Sequence, residues 1–338
     1  MAELHSPGGA ALRAADAWEP LRPLMAAHGA TIEPPVFFAA VSRAFHGCGA
    51  QSYDTQHRQM WQSLPDQFQH LVSDLLQQLP PPNHRMSALD IGCGTGMSAE
   101  LLLRTRMGAF IRQVDLVDPA QEMLQICSMR QSLLSIRHRL VCGRLETLPL
   151  RPHYDLIVAG CVLQHVGDLP EFLRQVSLRQ SPGGVFLHLQ DPNADAHDDP
   201  ERQLRVEQFE RSRRGLIKRL SRRIRQQGAF PAEQVQAVNQ ELLDLKIVTA
   251  PLSEAEIAQI MGMRTTDGHG ISIRQMKTLL LDYRLVATRS WAFFGELSSA
   301  LPPEYRRRER ALIAEEMQNG TQVGAVWVKG PSANPTRS

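Results

Sequence analysis

Ala88-Leu89-Asp90-Ile91-Gly92-Cys93-Gly94-Thr95-Gly96 is a short apolar run that carries an acid and then breaks into three alternate glycines. The run reads as a buried strand, Ala88 to Ile91, and the glycines as the turn from it into a helix. A glycine-rich turn lets the backbone come close to a ligand, because no Cβ stands in the way and unusual backbone angles are open to it. Asp90 sits two positions before the first glycine, and a second acid, Asp118, closes the next apolar run at Gln113 to Val117. An acid at the tip of a second strand suits a ribose, whose vicinal hydroxyls can both donate to one carboxylate.

Outward from this stretch, short apolar runs alternate with helical periodicity. Further strands are expected at Arg139–Val141, Asp155–Ala159 and Val185–Leu189. Helices fill the gaps, one of them opened by Asp168 with Glu171 three residues on, and Pro182-Gly183-Gly184 reads as the turn into the fifth strand. Repeated strand–helix units of this kind build a parallel sheet with helices on both faces. Before them, Phe68, Leu71, Val72, Leu75, Leu76 and Leu79 share one helical face that stops at Pro80-Pro81-Pro82. After Asp191 the alternation gives way to consecutive helices up to about residue 283, with Ser253/Glu256 and Ser272/Gln275 as capping pairs. Strand character returns at Leu285–Phe294 and Gly324–Val328, separated by a charged helix over Glu304–Met317.

The glycines follow G-x-G-x-G, too short for the G-x-G-x-x-G spacing that seats a pyrophosphate in dinucleotide-binding folds. The chain here resembles the class I S-adenosylmethionine-dependent methyltransferases. The resemblance rests on Leu89 to Gly96, on Val117-Asp118-Pro119, and on Tyr154-Asp155-Leu156-Ile157-Val158. Gly160-Cys161-Val162-Leu163-Gln164-His165-Val166 and Ser181-Pro182-Gly183-Gly184 look like the corresponding segments of the small-molecule branch, so the motifs cover residues 88 to 190 in order. It implies an α/β fold, a doubly wound, mostly parallel seven-stranded Rossmann-like sheet with N-terminal helices and an α-helical insertion before the last two strands. The expected division is an N-terminal helical segment (1–84), a core (85–192), a helical insertion acting as a lid (193–270), the end of the core sheet (271–330) and a tail (331–338).

The resemblance also assigns roles. The cofactor would be S-adenosyl-L-methionine, with Gly92, Gly94 and Gly96 near its methionine end, Asp90 beneath that end, and Asp118 on the ribose hydroxyls. Many relatives carry Asp where Arg144 stands, so the backbone of Leu145 is the expected adenine contact. Gly160 would border the cofactor at the tip of the fourth strand. A sulfonium methyl is already electrophilic, so alignment and exclusion of water matter most and a base is optional. His165 is the candidate base, being close to the expected methyl position and having an ordinary pKa suited to proton transfer. His188 and Asp191, at the end of the fifth strand, are weaker candidates. Upstream, Tyr53-Asp54 resembles a short segment that folds across the cofactor in many small-molecule members.

Composition sets the limits of function. With 338 residues, 43% hydrophobic and 21% charged, the chain can bury a large core. A net charge of +2 gives no field that by itself implies nucleic acid. Five scattered cysteines without a CxxC pair imply no metal site and fit a reducing compartment, and no run approaches ~18 apolar residues, so a cytoplasmic address is expected. One local exception is the arginine-rich, amphipathic stretch 202–225, which suits a solvated face or an anionic partner equally. The reading is methyl transfer to O, N or C of a small-molecule acceptor, with natural-product biosynthesis in view and a homodimer left open. The alternatives are an RNA or protein methyltransferase using that basic stretch, or a non-catalytic or non-methylating S-adenosylmethionine-binding protein. The polar loop Thr265 to Gly270 reads as a connection with glycine hinges.

Overall fold

A computed structural model describes residues 18–150, 154–212, 230–263 and 269–331. Its centre is a seven-stranded sheet of β1 (Met86–Ile91), β2 (Ile111–Asp118), β3 (Arg137–Cys142), β4 (Tyr154–Gly160), β5 (Gln180–Pro192), β6 (Tyr283–Trp291) and β7 (Gln322–Lys329), in the order β3-β2-β1-β4-β5-β7-β6. The first five strands pair in parallel, and β7 runs antiparallel between β5 and β6. Every residue of β1 is buried, as expected for a central strand covered on both faces. The chain reverses its direction of travel across the sheet between β1 and β4, so a crevice opens at their carboxyl ends.

Two helices of the N-terminal region come first, α1 (Leu21–Ala27) and α2 (Pro34–Gln56), followed by α3 (Arg58–Gln78). The apolar face of α3 buries Phe68, Leu71, Val72 and Leu75, and Leu79 is already extended because the residue before a proline is disfavoured in the helical region. Helices α4 (Met97–Arg104), α5 (Gln121–Ser128), α6 (Gln131–Leu134) and α7 (Leu169–Arg179) fill the crossovers, α7 being capped by the Asp168 side chain on the Glu171 N–H.

Several strand ends differ from the sequence expectation by a few residues, and two of them have a clear physical reason. Residues 182–184 do not form a turn ahead of the fifth strand but lie within β5, where the ladder shifts between Tyr154 and Leu156 and Gly183 takes φ 74°. Strand β6 stops at Trp291, three residues early. Ala292 turns away at φ 59°, and the buried carboxylate of Glu309, on α12 (Pro303–Ala314), accepts from the N–H groups of Ala292 and Phe293, which therefore have no need of a ladder partner.

Between β5 and β6 run α8 (Pro200–Arg211), α9 (Ala232–Asp244), α10 (Glu254–Gly262) and α11 (Ile273–Leu279). Ser253 and Glu256 form a full capping box on α10, and Ser272 caps α11 through the Gln275 N–H. Part of this segment merges with the N-terminal helices. Leu21, Phe37, Phe38 and Val41 pack with Val238, Leu242, Ile257 and Ile260 in a hydrophobic cluster separate from the two that flank the sheet. The cap is thus built from both ends of the sequence interval around the core. No described helix is long and apolar enough to cross a membrane.

A polar clasp ties this cap to the glycine turn. Asp54, near the end of α2, accepts from Thr95 Oγ1 at 2.7 Å, from Trp61 Nε1 at 3.2 Å and from Arg130, whose Nε also donates to the Thr95 carbonyl at 2.8 Å. Removing the hub acceptor leaves Thr95 and Arg130 short of a partner. Asp54→Ala should therefore lower stability to urea by about 1–3 kcal/mol, and an unchanged midpoint would show that the clasp carries no weight.

Candidate functional site

The turn after β1 is shaped by its glycines. Gly92 adopts φ 61°, and a Cβ there would come within 2.6 Å of Val162. Gly94, at φ 52°, has nothing within 4 Å of the Cβ position, so its α-carbon faces open space. That space is a cavity of about 660 Å³ at the carboxyl edge of the sheet. Gly92, Gly94, Asp118, Leu145, Gly160 and His165 all line it, so six of the candidate residues are brought together.

Asp118 has a defined task already. Its Oδ2 accepts from the Gly94 N–H and its Oδ1 from the Ala120 N–H, both at 2.9 Å, so the tip of β2 holds the turn that follows β1. Burial pushes its carboxyl above the usual range, and those two backbone donors pull the other way. Each carboxylate oxygen keeps acceptor capacity for a further donor from the cavity.

Asp90 and Gly96 lie outside the cavity wall. Asp90 is buried beneath the turn, where Oδ2 accepts from the Ala99 N–H at 3.0 Å in the first turn of α4, while Oδ1 has no partner among the described residues. Burial raises its pKa to about 8 against the single backbone bond that lowers it. Gly96 is the left-handed N-cap of α4, and a Cβ there would meet Cys127 Sγ at 2.8 Å.

His165 ends a short 3-10 turn, Leu163–His165, and lies parallel to the Phe38 ring with centroids 6.4 Å apart. His188 and Asp191 are fully buried and paired to each other, Nδ1 to Oδ2 at 3.0 Å, and Asp191 Oδ1 also accepts from the Gln164 N–H at 3.4 Å. Their geometry holds the turn that carries His165; neither lines the cavity.

The cap supplies the other wall, which sequence reasoning largely missed. Phe38, Arg43, Phe45, His46, Tyr53 and His57 of this region reach the cavity, with Phe230 and Met261 from the inserted segment. Tyr53 could have flagged the face, since His46 and His57 fall seven residues before and four after it, on the same side of a helix. Cys161 and Gln190, in the wall at the ends of β4 and β5, adopt φ 62° and 64°. Left-handed non-glycine residues at a site are costly and persist only where the surroundings impose them. No residue pattern announces them.

Of the arginine-rich stretch, residues 213–225 lie outside the described residues, as do Thr265 to Gly268. Within the described part, Arg202 donates to the carbonyls of Ala196 and His197, Arg205 to Asn319, and Arg211 to Glu207. No group of metal-binding side chains occurs among the described residues.

Residues 60–227 match a family profile described as a methyltransferase domain. A malonyl-[acyl-carrier protein] O-methyltransferase of Priestia megaterium is 27% identical over 133 residues, 39% of this chain and 47% of the relative. An ubiquinone biosynthesis O-methyltransferase of Rhodopseudomonas palustris is 35% identical over 101 residues, 29% of this chain and 37% of that one. The chain thus spans less than half the length of these curated relatives. Among solved structures, a plantazolicin methyltransferase in complex with SAH aligns over 88% of this chain and 96% of its own, at 13% identity and a TM-score of 0.44.

The buried Asp90 makes a pH prediction. A carboxyl whose folded pKa is raised holds its proton longer in the folded than in the unfolded chain, so it lowers stability as pH rises from 3.8 to about 8. Asp90→Asn should remove that contribution, and its stability relative to wild type should climb across this window by at most roughly 1.4 kcal/mol per pH unit. Parallel stability–pH curves for the two proteins in urea would contradict it.

Proposed function

We propose that the chain is a class I S-adenosylmethionine-dependent methyltransferase, a reading supported by the methyltransferase-domain match over residues 60–227, and that it moves a methyl group from S-adenosylmethionine to a small-molecule acceptor bound under the helical cap. The observation that carries this reading is the meeting of Gly94 and Asp118 in one cavity wall. A backbone without a Cβ faces open space there, and a buried carboxylate fixed by two N–H groups lies beside it. Those features fit S-adenosylmethionine, as does a volume of about 660 Å³, enough for a nucleoside-sized ligand with an acceptor next to it.

When bound, the cofactor supplies an electrophilic methyl group on a sulfonium. The chain's part is to bind, orient and dry the site. Gly92 and Gly94 allow close approach of the methionine end, and Asp118 accepts from the ribose hydroxyls while keeping its backbone bonds. Leu145, buried at the far wall, offers backbone and apolar contact to the adenine. Asp90 and Gly96 act from below, shaping the turn and the start of α4. Gly160 borders the cofactor at the tip of β4. His165, backed by Phe38, stands on the acceptor side and aligns the nucleophile, with the option of taking its proton. The cap of α1, α2, α9 and α10 excludes water as a lid, which strengthens each polar contact inside. Both curated relatives carry O-methyltransferase names, which supports an oxygen nucleophile, and one of them belongs to ubiquinone biosynthesis.

Two substitutions separate binding from chemistry. Asp118→Ala should weaken S-adenosylhomocysteine binding by about 1–3 kcal/mol through lost hydrogen bonds, measured by calorimetry. His165→Asn should lower the rate of labelled-methyl transfer while leaving that affinity within a factor of about two. Unchanged affinity in the first, or an unchanged rate in the second, removes the corresponding role.

A further inference from the structure

Helix α2 carries His46 into the cavity without giving its imidazole a hydrogen-bond partner among the described residues. His46 is in ring contact with Phe45 at 5.7 Å and with Tyr53 at 5.9 Å, and its imidazole meets that of His165 edge to face, centroids 6.3 Å apart and planes at 74°. Neither of its ring nitrogens has a hydrogen bond among the described residues. Other histidines of the cap are engaged: His28 bonds the Ala250 carbonyl and Glu256, and His57 bonds the Tyr53 carbonyl. Held polar groups at a wall are normally satisfied, and one that is not, facing a cavity, is where a ligand's hydrogen bond belongs.

The surroundings of His46 restrict what that ligand is. Phe38, Phe45 and Phe230 present aromatic rings there, Phe45 and Phe230 themselves meeting edge to face at 4.7 Å. The nearest cation of the same helix face, Arg43, is already paired with Glu241. A carboxylate acceptor would therefore find no uncommitted positive charge on this face of α2, whereas a flat, uncharged one would find ring faces and one hydrogen-bonding nitrogen.

We propose that His46 is a catalytic residue that accepts the hydrogen bond, and then the proton, of an O–H or N–H on an uncharged aromatic acceptor lying against the Phe38–His165 wall. The proposal rests on the methyl-transfer reading and names its acceptor class. A lone pair of the acceptor atom forms the new bond to the methyl carbon as the carbon–sulfur bond breaks, and the electron pair of that bond stays on sulfur. The acceptor's proton passes to the unprotonated nitrogen of His46 and from there to solvent. Burial, with a smaller push from His57, lowers the pKa of His46 to about 4, so its ring is neutral at pH 7 and adds no second cation beside a sulfonium. Weak basicity suffices, because an oxygen or ring nitrogen that carries both its proton and a new methyl is cationic and gives up that proton readily.

The test uses the full chain with labelled S-adenosylmethionine and a panel of uncharged phenols, uncharged N–H heteroaromatics and aromatic or aliphatic carboxylates. Transfer to phenols or to N–H heteroaromatics is expected, the two arms telling oxygen from nitrogen, and none to carboxylates. With the accepted compound, His46→Asn should lower kcat by about 100-fold while S-adenosylhomocysteine affinity stays within about twofold. Transfer to carboxylates alone, no transfer to either uncharged class by a protein that binds S-adenosylhomocysteine, or an undiminished kcat in His46→Asn would each overturn the proposal. A wild-type chain that binds no S-adenosylhomocysteine would instead overturn the methyl-transfer reading on which it rests.

Discussion

The two backbone hydrogen bonds accepted by Asp118 are the constraint on which the site depends. Three glycines in five residues leave the turn after β1 free to take many shapes, and glycine loses more conformational entropy on ordering than any other residue. A carboxylate fixed by the Ala120 N–H and reaching across to the Gly94 N–H selects one of those shapes. It does so from the neighbouring strand, so the register of β1 against β2, Asp90 beside Leu116 and Ile91 beside Val117, sets the geometry of the turn. The same buried group is the ligand candidate at the tip of β2, which makes one side chain serve both order and recognition.

A second dependence links the cap to this turn. The N-terminal helices and two of the inserted helices share one hydrophobic cluster, yet apolar packing has little directional preference and does not alone fix where a cap sits over a cavity. Asp54, Trp61, Thr95 and Arg130 supply the direction. Their bonds join the end of α2 to the glycine turn, so Tyr53 beside them and His46 seven residues earlier stand over the cavity and not away from it. The Arg130 guanidinium also lies 4.5 Å over the Trp61 ring, which adds a cation–π contact to the same clasp.

Much of this was legible in the residues. The buried strands announce themselves as apolar runs, and Asp90, the glycines and Asp118 follow from their places at strand ends, because a parallel sheet puts its ligand edge there. Capping at Asp168, Ser253 and Ser272 was readable from short-range chemistry. The start of β5 was not, since Pro182-Gly183-Gly184 has the composition of a turn and stays in the strand only through a shifted ladder with β4. Nor was the end of β6, which is decided by Glu309, a residue distant in sequence. The joint origin of the cap was hidden for the same reason: contacts such as Arg43 with Glu241 or Gln234 with the Phe45 carbonyl span about two hundred residues, and local periodicity carries no record of them. Positive φ at Cys161 and Gln190 is likewise imposed by the fold and not by side-chain type.

Binding of the methyl donor at the β1–β4 edge is the central claim, and titration calorimetry of S-adenosylhomocysteine into the full chain tests it most directly. Saturable binding with one site per chain is the predicted result. The absence of any saturable heat across the range in which nucleoside cofactors bind would contradict it.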